Sequence, residues 1–383
     1  MLVTRSLTAD QERIQKLARE LAREYIAPIA RELDESEAFP REAIFALGRE
    51  GLFGISIPKE YGGMGLGIFE FCLATEEIAR IDGAASTAFA ATLLGALPII
   101  LYGTHEQKLK YLTPIARGEK LASFALSEPG AGSDAGTLET TAMRDGDNYI
   151  ISGAKRFITN AGQSDIYSVF AVTDKSRGPR GISSFIIEKG APGMKFGEPH
   201  KKMGIRASAT CNIAFDHVAV PAENLIGGKE NMGFIHAIRT FEHSRPGVAA
   251  QAVGIAQGAL DLALRYAKKR EQFGKTISTF QGIQWMLADM EIKVEAARAL
   301  TYAVIDMVVR GDREVSAAAA AAKVFASDTA MQVTTDAVQI YGGWGYMRVF
   351  EVERFMRDAK VTQIYEGTNQ IQRNIIALRM IKG

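Results

Sequence analysis

Residues 248–269, 281–309 and 316–340 carry apolar side chains at the three- and four-residue spacing of an amphipathic helix, over lengths that ordinary strands do not reach. Such stripes are buried only against other helices or a neighbouring helical unit, so the C-terminal part of the chain is expected to be a helical bundle. Gly311-Asp312 and Gly342-Gly343 supply turns after the second and third stretches. Pro246 stands ahead of the first, where a helix-starting proline is tolerated, and the alanine run at 317–322 reads as a close helix contact.

The segment before the bundle has a different period. From Leu121 onward, short β-branched and aromatic runs surround Tyr149, residues 165–172, residues 182–187 and residues 211–215, with Asp145-Gly146 and Asn160 to Gly162 as turn chemistry between them. No stretch of crossover-helix length separates successive runs, which favours an antiparallel sheet or small barrel over a Rossmann sheet. The first third is helical again. Thr8 and Gln11 have capping-box spacing, Ile14, Leu17, Ala18, Leu21 and Tyr25 follow along one face, and further helices are expected near 41–50, 68–81 and 106–116. The chain therefore divides into an α-helical unit (1–120), a β unit (121–230) and a helical bundle (231–383), an α+β architecture.

Forty-five Lys and Arg against 44 Asp and Glu leave no charge excess for a nucleic-acid surface or a polybasic membrane patch. Cys72 and Cys211 are far apart and fit neither a disulfide framework nor a zinc motif, which suits a reducing cytoplasm. The first residues, Met1 to Ser6, show neither a secretory apolar core nor a transit-type composition. Residues 83–104 carry no charge and are long enough to span a bilayer, but Pro98, three glycines and three hydroxyl residues favour a buried helix pair over membrane insertion.

Several local patterns could carry chemistry. The loop at 127–136, S-E-P-G-A-G-S-D-A-G, has glycine spacing one residue too long for a dinucleotide fingerprint and lacks a P-loop ending. Its small hydroxyls and amides nevertheless suit a ligand's carbonyl, ring nitrogen or phosphate. Phe157 and Thr159 would share one face of an extended strand, placing an aromatic wall beside a hydroxyl. Glu366 lies between Tyr365 and Gly367, a setting compatible with a base facing a planar group. The five histidines include no set with ligand spacing, so no metal is expected.

Taken in order, the 127–136 loop, F-I-T at 157–159, R-E-Q-F-G-K at 270–275, Q-I-Y-G-G at 339–343 and I-Y-E-G-T-N-Q at 364–370 resemble the motifs of acyl-CoA dehydrogenases across essentially the whole chain. The resemblance implies FAD held between the β unit and the bundle, with an acyl-CoA thioester against the flavin. Phe124, Leu126, Ser127, Gly132, Ser133, Phe157 and Thr159 match flavin-side positions, Phe157 standing where a tryptophan is common in the family. Arg270, Phe273, Gln281, Gln339, Gly342 and Gly343 resemble residues that reach the FAD of a neighbouring subunit, implying a homo-oligomer, expected to be a tetramer. Thr368 and Gln370 match the adenine end.

On the same resemblance, Glu366 is the base that removes the α proton, its amide polarises the thioester carbonyl together with a ribityl hydroxyl, and an electron-transfer flavoprotein receives the electrons. Some relatives carry the base at the position of Ser244; a serine there leaves Glu366 as the acid. Substrate contacts are expected from Ser133, Phe89, Leu93, Phe241, Glu242, Ser244, Arg245, Tyr365 and Gly367, with Glu242 a minor rival base or an acid paired with Arg245. Bulky Phe89, Leu93 and Leu94 favour a short, branched or cyclic acyl group. An oxygen-using oxidase, a decarboxylating dehydrogenase and a non-catalytic acyl-CoA-binding scaffold are the alternatives, and the first two are disfavoured by length and by the uncharged stretch at 87–94.

Overall fold

Thr8 and Gln11 close their capping box, the Gln11 amide donating to Thr8 Oγ1 at 3.3 Å and the Thr8 amide to Gln11 Oε1 at 3.1 Å, and α1 (Ala9–Leu21) starts there. The computed structural model describes residues 6–312 and 314–382, so most of the N-terminal stretch read for a leader lies outside the described residues. Ile14, Ala18 and Leu21 are buried as expected. Tyr25 is not: a π-helical turn at Ala22–Ile26 adds a residue to the turn, burying Ile26 and leaving Tyr25 38% exposed.

The N-terminal unit continues through α2 (Ala30–Ser36), α3 (Arg41–Arg49), α4 (Ile68–Ala79), α5 (Gly83–Tyr102) and α6 (His105–Ala116). The uncharged stretch forms one helix, α5, rather than a pair. Pro98 lies inside it, and the buried neighbours Leu97 and Ile99 hold the chain helical despite the lost donor. By length and composition α5 could cross a membrane, yet 78% of its apolar window is buried within the protein, packed with α1 and α4 in one core.

The middle unit is a seven-stranded sheet of β1 (Ala122–Ala125), β2 (Thr141–Asp145), β3 (Asn148–Thr159), β4 (Ile166–Val172), β5 (Ile182–Glu188), β6 (Met194–Phe196) and β7 (Thr210–Pro221). Four of its pairings are antiparallel: β2 with β3, β3 with β7, β7 with β6, and β4 with β5. However, β1 runs parallel to β4, Ala122 opposite Ile166. The crossover between them is the β2–β3 hairpin instead of a helix, so a search for crossover helices does not reveal it. A register shift between Lys155 and Ile158 breaks the β3–β7 ladder, and Phe157 there has a φ of 58°. The regular pleat that would put Phe157 and Thr159 on one face is interrupted by this bulge.

In the C-terminal unit, α7 spans Gly233–Ala267, so Pro246 is interior to the helix and does not start it. The expected start is corrected because an apolar face extends N-terminally to Ala237 and Gly233, and packing there outweighs one missing donor. A Cβ on Gly254 would lie 2.3 Å from the Glu76 carbonyl and one on Gly258 2.4 Å from the Arg80 carbonyl, so the C-terminal end of α4 rests directly on the α7 backbone. A short hairpin, β8 (Glu271–Gln272) and β9 (Lys275–Thr276), leads to α8 (Gln281–Arg310), α9 (Val315–Tyr341), α10 (Val352–Thr362) and α11 (Asn369–Lys382). Ala319 and Ala322 are buried in one core with Ala252, Ala256 and Ala259 of α7, the close contact anticipated for the alanine run.

All three units meet at Asp358 of α10. Its Oδ1 accepts from the Ile205 amide of the middle unit at 2.5 Å, and Gly83 of α5 lies against it. Asp82 caps α5 through the Ala85 amide at 2.7 Å and pairs with Arg354, while Asp34 of α2 pairs with Arg357 at 2.6 Å. Burial, then the neighbouring Asp82 carboxylate, push the Asp358 carboxyl up to about 7, against the pull of Arg354 and the Ile205 amide. A carboxyl raised in the folded state contributes stability that is complete below its unfolded pKa and is lost as pH rises through the folded one. Stability relative to Asp358→Asn should therefore fall between about pH 4 and pH 7 with a slope approaching about 1.4 kcal/mol per pH unit. Paired urea melts across this range check it; parallel curves for the two proteins would refute the assignment.

Candidate functional site

Glu366 and Gly367 both have left-handed backbone, φ 50° and 91°, in the turn between α10 and α11. The conformation is unfavourable for glutamate, and surrounding bonds hold it. Gln372 donates from Nε2 to the Glu366 and Gly367 carbonyls, each at 3.1 Å, and a Cβ on Gly367 would lie 2.4 Å from that nitrogen. Lys323 of α9, fully buried, donates to the Gly367 carbonyl at 2.9 Å and to Asn369 Oδ1 at 3.0 Å. Among the described residues the Glu366 amide N–H makes no hydrogen bond. The turn thus presents a carboxylate and a free donor from the same residue.

The facing surface belongs to α7. Ser244 Oγ donates to Glu366 Oε2, and the adjacent Arg245 is 8% exposed with its Nε buried and unpartnered among the described residues. Burial raises the Glu366 carboxyl above the ordinary carboxylate range, opposed by the Ser244 hydroxyl and by the Arg245 and Lys323 cations. Glu242 is held by Arg239 at 2.8 Å, not by Arg245 as expected, because a side chain three residues away on the same helix reaches it. Two turns beyond Ser244, Gln251 accepts from the Tyr365 hydroxyl and donates to Thr87 Oγ1 at 2.7 Å and the Gly83 carbonyl at 3.1 Å. Consecutive residues of the turn are therefore bonded to two points on α7 about 10 Å apart along its axis.

Phe89 and Leu93 of α5 lie in the N-terminal core, Phe89 stacking on Phe71 at 5.2 Å and Phe53 at 6.1 Å, while Ala90 and Leu94 are half-buried. A Cβ on Gly247 of α7 would be 3.3 Å from Phe71, so this aromatic stack backs the α7 surface between Ser244 and Gln251. Phe241 meets Phe124 edge-on at 5.5 Å, and both pack with Leu126 against Phe170. One apolar cluster joins α7 to the strand that leads into the 127–136 loop.

That loop is anchored at its stem and open at its tip. The Arg156 amide donates to the Ser127 carbonyl at 2.8 Å, bringing the loop beside Phe157, which is 59% exposed although its ring meets the Arg156 guanidinium at 4.7 Å and His200 at 5.2 Å. A Cβ on Gly132 would meet nothing within 4 Å, and the Ser127 and Ser133 hydroxyls, like that of Thr159, have no partner among the described residues. Thr368 Oγ1 accepts from the Ile371 amide at 3.3 Å, and Gln370 is exposed. Arg270, Phe273, Gln281, Gln339, Gly342 and Gly343 are all exposed, Phe273 at 93%, and no hydrogen bond or ring contact among the described residues joins them to the loop.

Family models for the acyl-CoA dehydrogenase N-terminal, middle and C-terminal domains match residues 8–119, 123–218 and 231–381. The chain belongs to the acyl-CoA dehydrogenase family. It is an oxidoreductase, with the three-part fold expected of one. Its backbone is similar to a chain in the structure of the electron transferring flavoprotein of Acidaminococcus fermentans, with a TM-score of 0.97, 48% identity and 100% coverage of both chains. Butyryl-CoA dehydrogenase from Megasphaera elsdenii superimposes with a TM-score of 0.96 at 44% identity, over 99% of this chain and 100% of that one. An acyl-CoA dehydrogenase from Bacillus anthracis complexed with FAD matches at 0.92 and 33% identity, over 98% of this chain and 67% of that one.

FAD is the cofactor of this dehydrogenase family, and the residues present fit it. A largely exposed aromatic residue, uncommitted hydroxyls and a glycine tip with room around it suit a planar ring system with a phosphate tail. Sequence reading did not find Gln251, Lys323 or Gln372. The first two are isolated polar residues within the apolar runs A-A-Q-A-V and A-A-A-K-V, a signal that could have marked them.

Removing Ser244 Oγ or the Lys323 ammonium deletes a contribution that lowers the Glu366 pKa. Ser244→Ala and Lys323→Met should each move it further upward, which an infrared pH titration of the carboxyl band absent in Glu366→Gln would follow. A downward shift in either variant contradicts the assigned electrostatics.

Proposed function

We propose that this chain dehydrogenates a short acyl-CoA thioester to its 2-enoyl product, with Glu366 as the base that takes the α proton. The observation that carries this reading is the 366–367 turn, which offers a half-buried carboxylate and an unbonded amide from one residue. A carbonyl oxygen accepting from the Glu366 amide would bring the adjacent α carbon within reach of the same residue's carboxylate. The amide stabilises charge that develops on that oxygen as the proton leaves. FAD, when bound, supplies the acceptor for the β hydride.

The chain's own groups set the proton transfer. Burial raises the basicity of Glu366, and Ser244, Arg245 and Lys323 keep it ionised enough to act near neutral pH. Ser127, Ser133, Thr159 and Phe157 hold and cover the flavin ring in this reading, with Phe124, Leu126 and Gly132 shaping the approach. Phe241, Glu242 and Arg245 border the thioester's entry along α7. Ser244 acts on the base, in addition to its expected place beside the substrate.

Arg270, Phe273, Gln281, Gln339, Gly342 and Gly343 complete the site of a second subunit. Their exposure, and the exposed Trp285, Trp344 and Tyr346 on the same unit, support a homo-oligomer, which we take to be a cytoplasmic tetramer. Thr368 and Gln370 then approach the adenine end. An electron-transfer flavoprotein is the proposed electron acceptor, supported by the Acidaminococcus likeness.

A short acyl group is supported by the Megasphaera likeness and, in this reading, by the Tyr365–Gln251–Thr87 bridge, which would limit the depth available to an acyl chain beside Glu366. Phe89 and Leu93, buried on the same helix as Thr87, are the proposed apolar floor.

Glu366→Gln should retain FAD and lose about 10²–10⁴-fold in kcat with butyryl-CoA and a dye acceptor; an undiminished rate would remove Glu366 from the mechanism. Gln251→Gly should move the chain-length optimum upward, each accommodated methylene being worth about 1–3 kcal/mol in kcat/KM. An unchanged profile across straight-chain acyl-CoAs would show that the limit lies elsewhere.

A further inference from the structure

Glu128 and Lys155 take no part in the chemistry above, yet both are buried and meet at 2.6 Å. A buried ion pair adds little net stability, because desolvation offsets its attraction. Its bonds show what else it does. Lys155 Nζ also donates to the Leu126 carbonyl at 3.0 Å, and the Glu128 carboxylate accepts from the Glu139 amide at 2.6 Å and the Thr140 amide at 3.1 Å. The chain entering the 127–136 loop and the chain leaving it are thus gathered on one carboxylate, and that carboxylate is fixed to β3.

The β3 bulge gives this arrangement its geometry. Residues 155 and 157 would share a face in a regular strand, but with φ 58° at Phe157 the lysine is buried while the aromatic ring is exposed. The same few residues hold the loop from below and present the ring above. The apolar foot of the loop, Ala131 and Leu138 against Leu126 and Phe170, adds adhesion without direction, whereas the four polar bonds are directional.

We propose that the Lys155–Glu128 pair is a positioning device for cofactor binding, fixing the loop that carries Ser127 and Ser133 in register with Phe157. This rests on the reading that loop and ring together hold FAD. Neither side chain touches the reacting atoms; both act through the loop backbone.

The test is the double variant Lys155→Met/Glu128→Gln in the full-length protein, which removes both charges at similar volume. Amide hydrogen exchange across 127–140 should accelerate at least about tenfold while exchange in α7 and α9 keeps its wild-type rate. FAD binding to the apoprotein should weaken at least about tenfold, the scale expected for losing charge-assisted bonds. Lys155→Arg, which keeps the charge, should recover part of both. A folded double variant with wild-type loop exchange and FAD affinity overturns the proposal. Loss of the fold in both the double variant and Glu128→Gln alone also overturns it, by making the pair a general structural element. If wild-type apoprotein takes up no FAD, the cofactor reading fails, while loop exchange still reports whether the pair holds the loop.

Discussion

Contact between the backbone of α7 and the C-terminal end of α4 sets the spacing on which the site depends. At Gly254 and Gly258 there is no room for a Cβ, so the Glu76 and Arg80 carbonyls fix how deeply α4 and its following turn sit against the helix. Gln251, one turn away, then reaches Thr87 and Tyr365, and Ser244 reaches Glu366. The Glu366–Gly367 turn lies on a scaffold whose three contributors are far apart in sequence and close in space because two glycines permit it.

Buried charge is concentrated where the units join. Arg298 of α8 meets Glu76 of α4 at 2.8 Å, with the Tyr302 hydroxyl on the same carboxylate at 2.5 Å. Asp358 ties α10 to the middle unit, and Lys323 ties α9 to the Glu366–Gly367 turn. Hydrophobic burial alone would let these surfaces slide, whereas directional bonds in a dry environment define one docking position. The same bonds tune the carboxyl groups they enclose, so assembly and acidity are set by common residues.

The sequence made the helical, β and helical regimes legible because periodicity and turn chemistry are local, and the capping box at Thr8 formed as its spacing implied. The setting of Glu366 between Tyr365 and Gly367 was only a weak local signal, and the ordered motifs gave it a role. What escaped were features set by tertiary packing: Pro246 within a helix, the parallel β1–β4 pair, the bulge at Phe157 and the π turn that rotates Tyr25 outward. Each breaks a local rule, and each is held by contacts between segments distant in the chain. Gln251 and Lys323 were passed over as polar residues in apolar runs, although burial makes such residues informative.

The bond between Ser244 and Glu366 also bears on how this family can vary. Two residues more than a hundred positions apart place their polar tips within one hydrogen bond of each other. Either backbone address can deliver an oxygen atom to nearly the same point in space. If Glu366 is the base, as proposed, the place where a proton is taken up belongs to the meeting point of helix and turn rather than to one segment, and responsibility for it can migrate between them over evolution without redrawing the surrounding geometry.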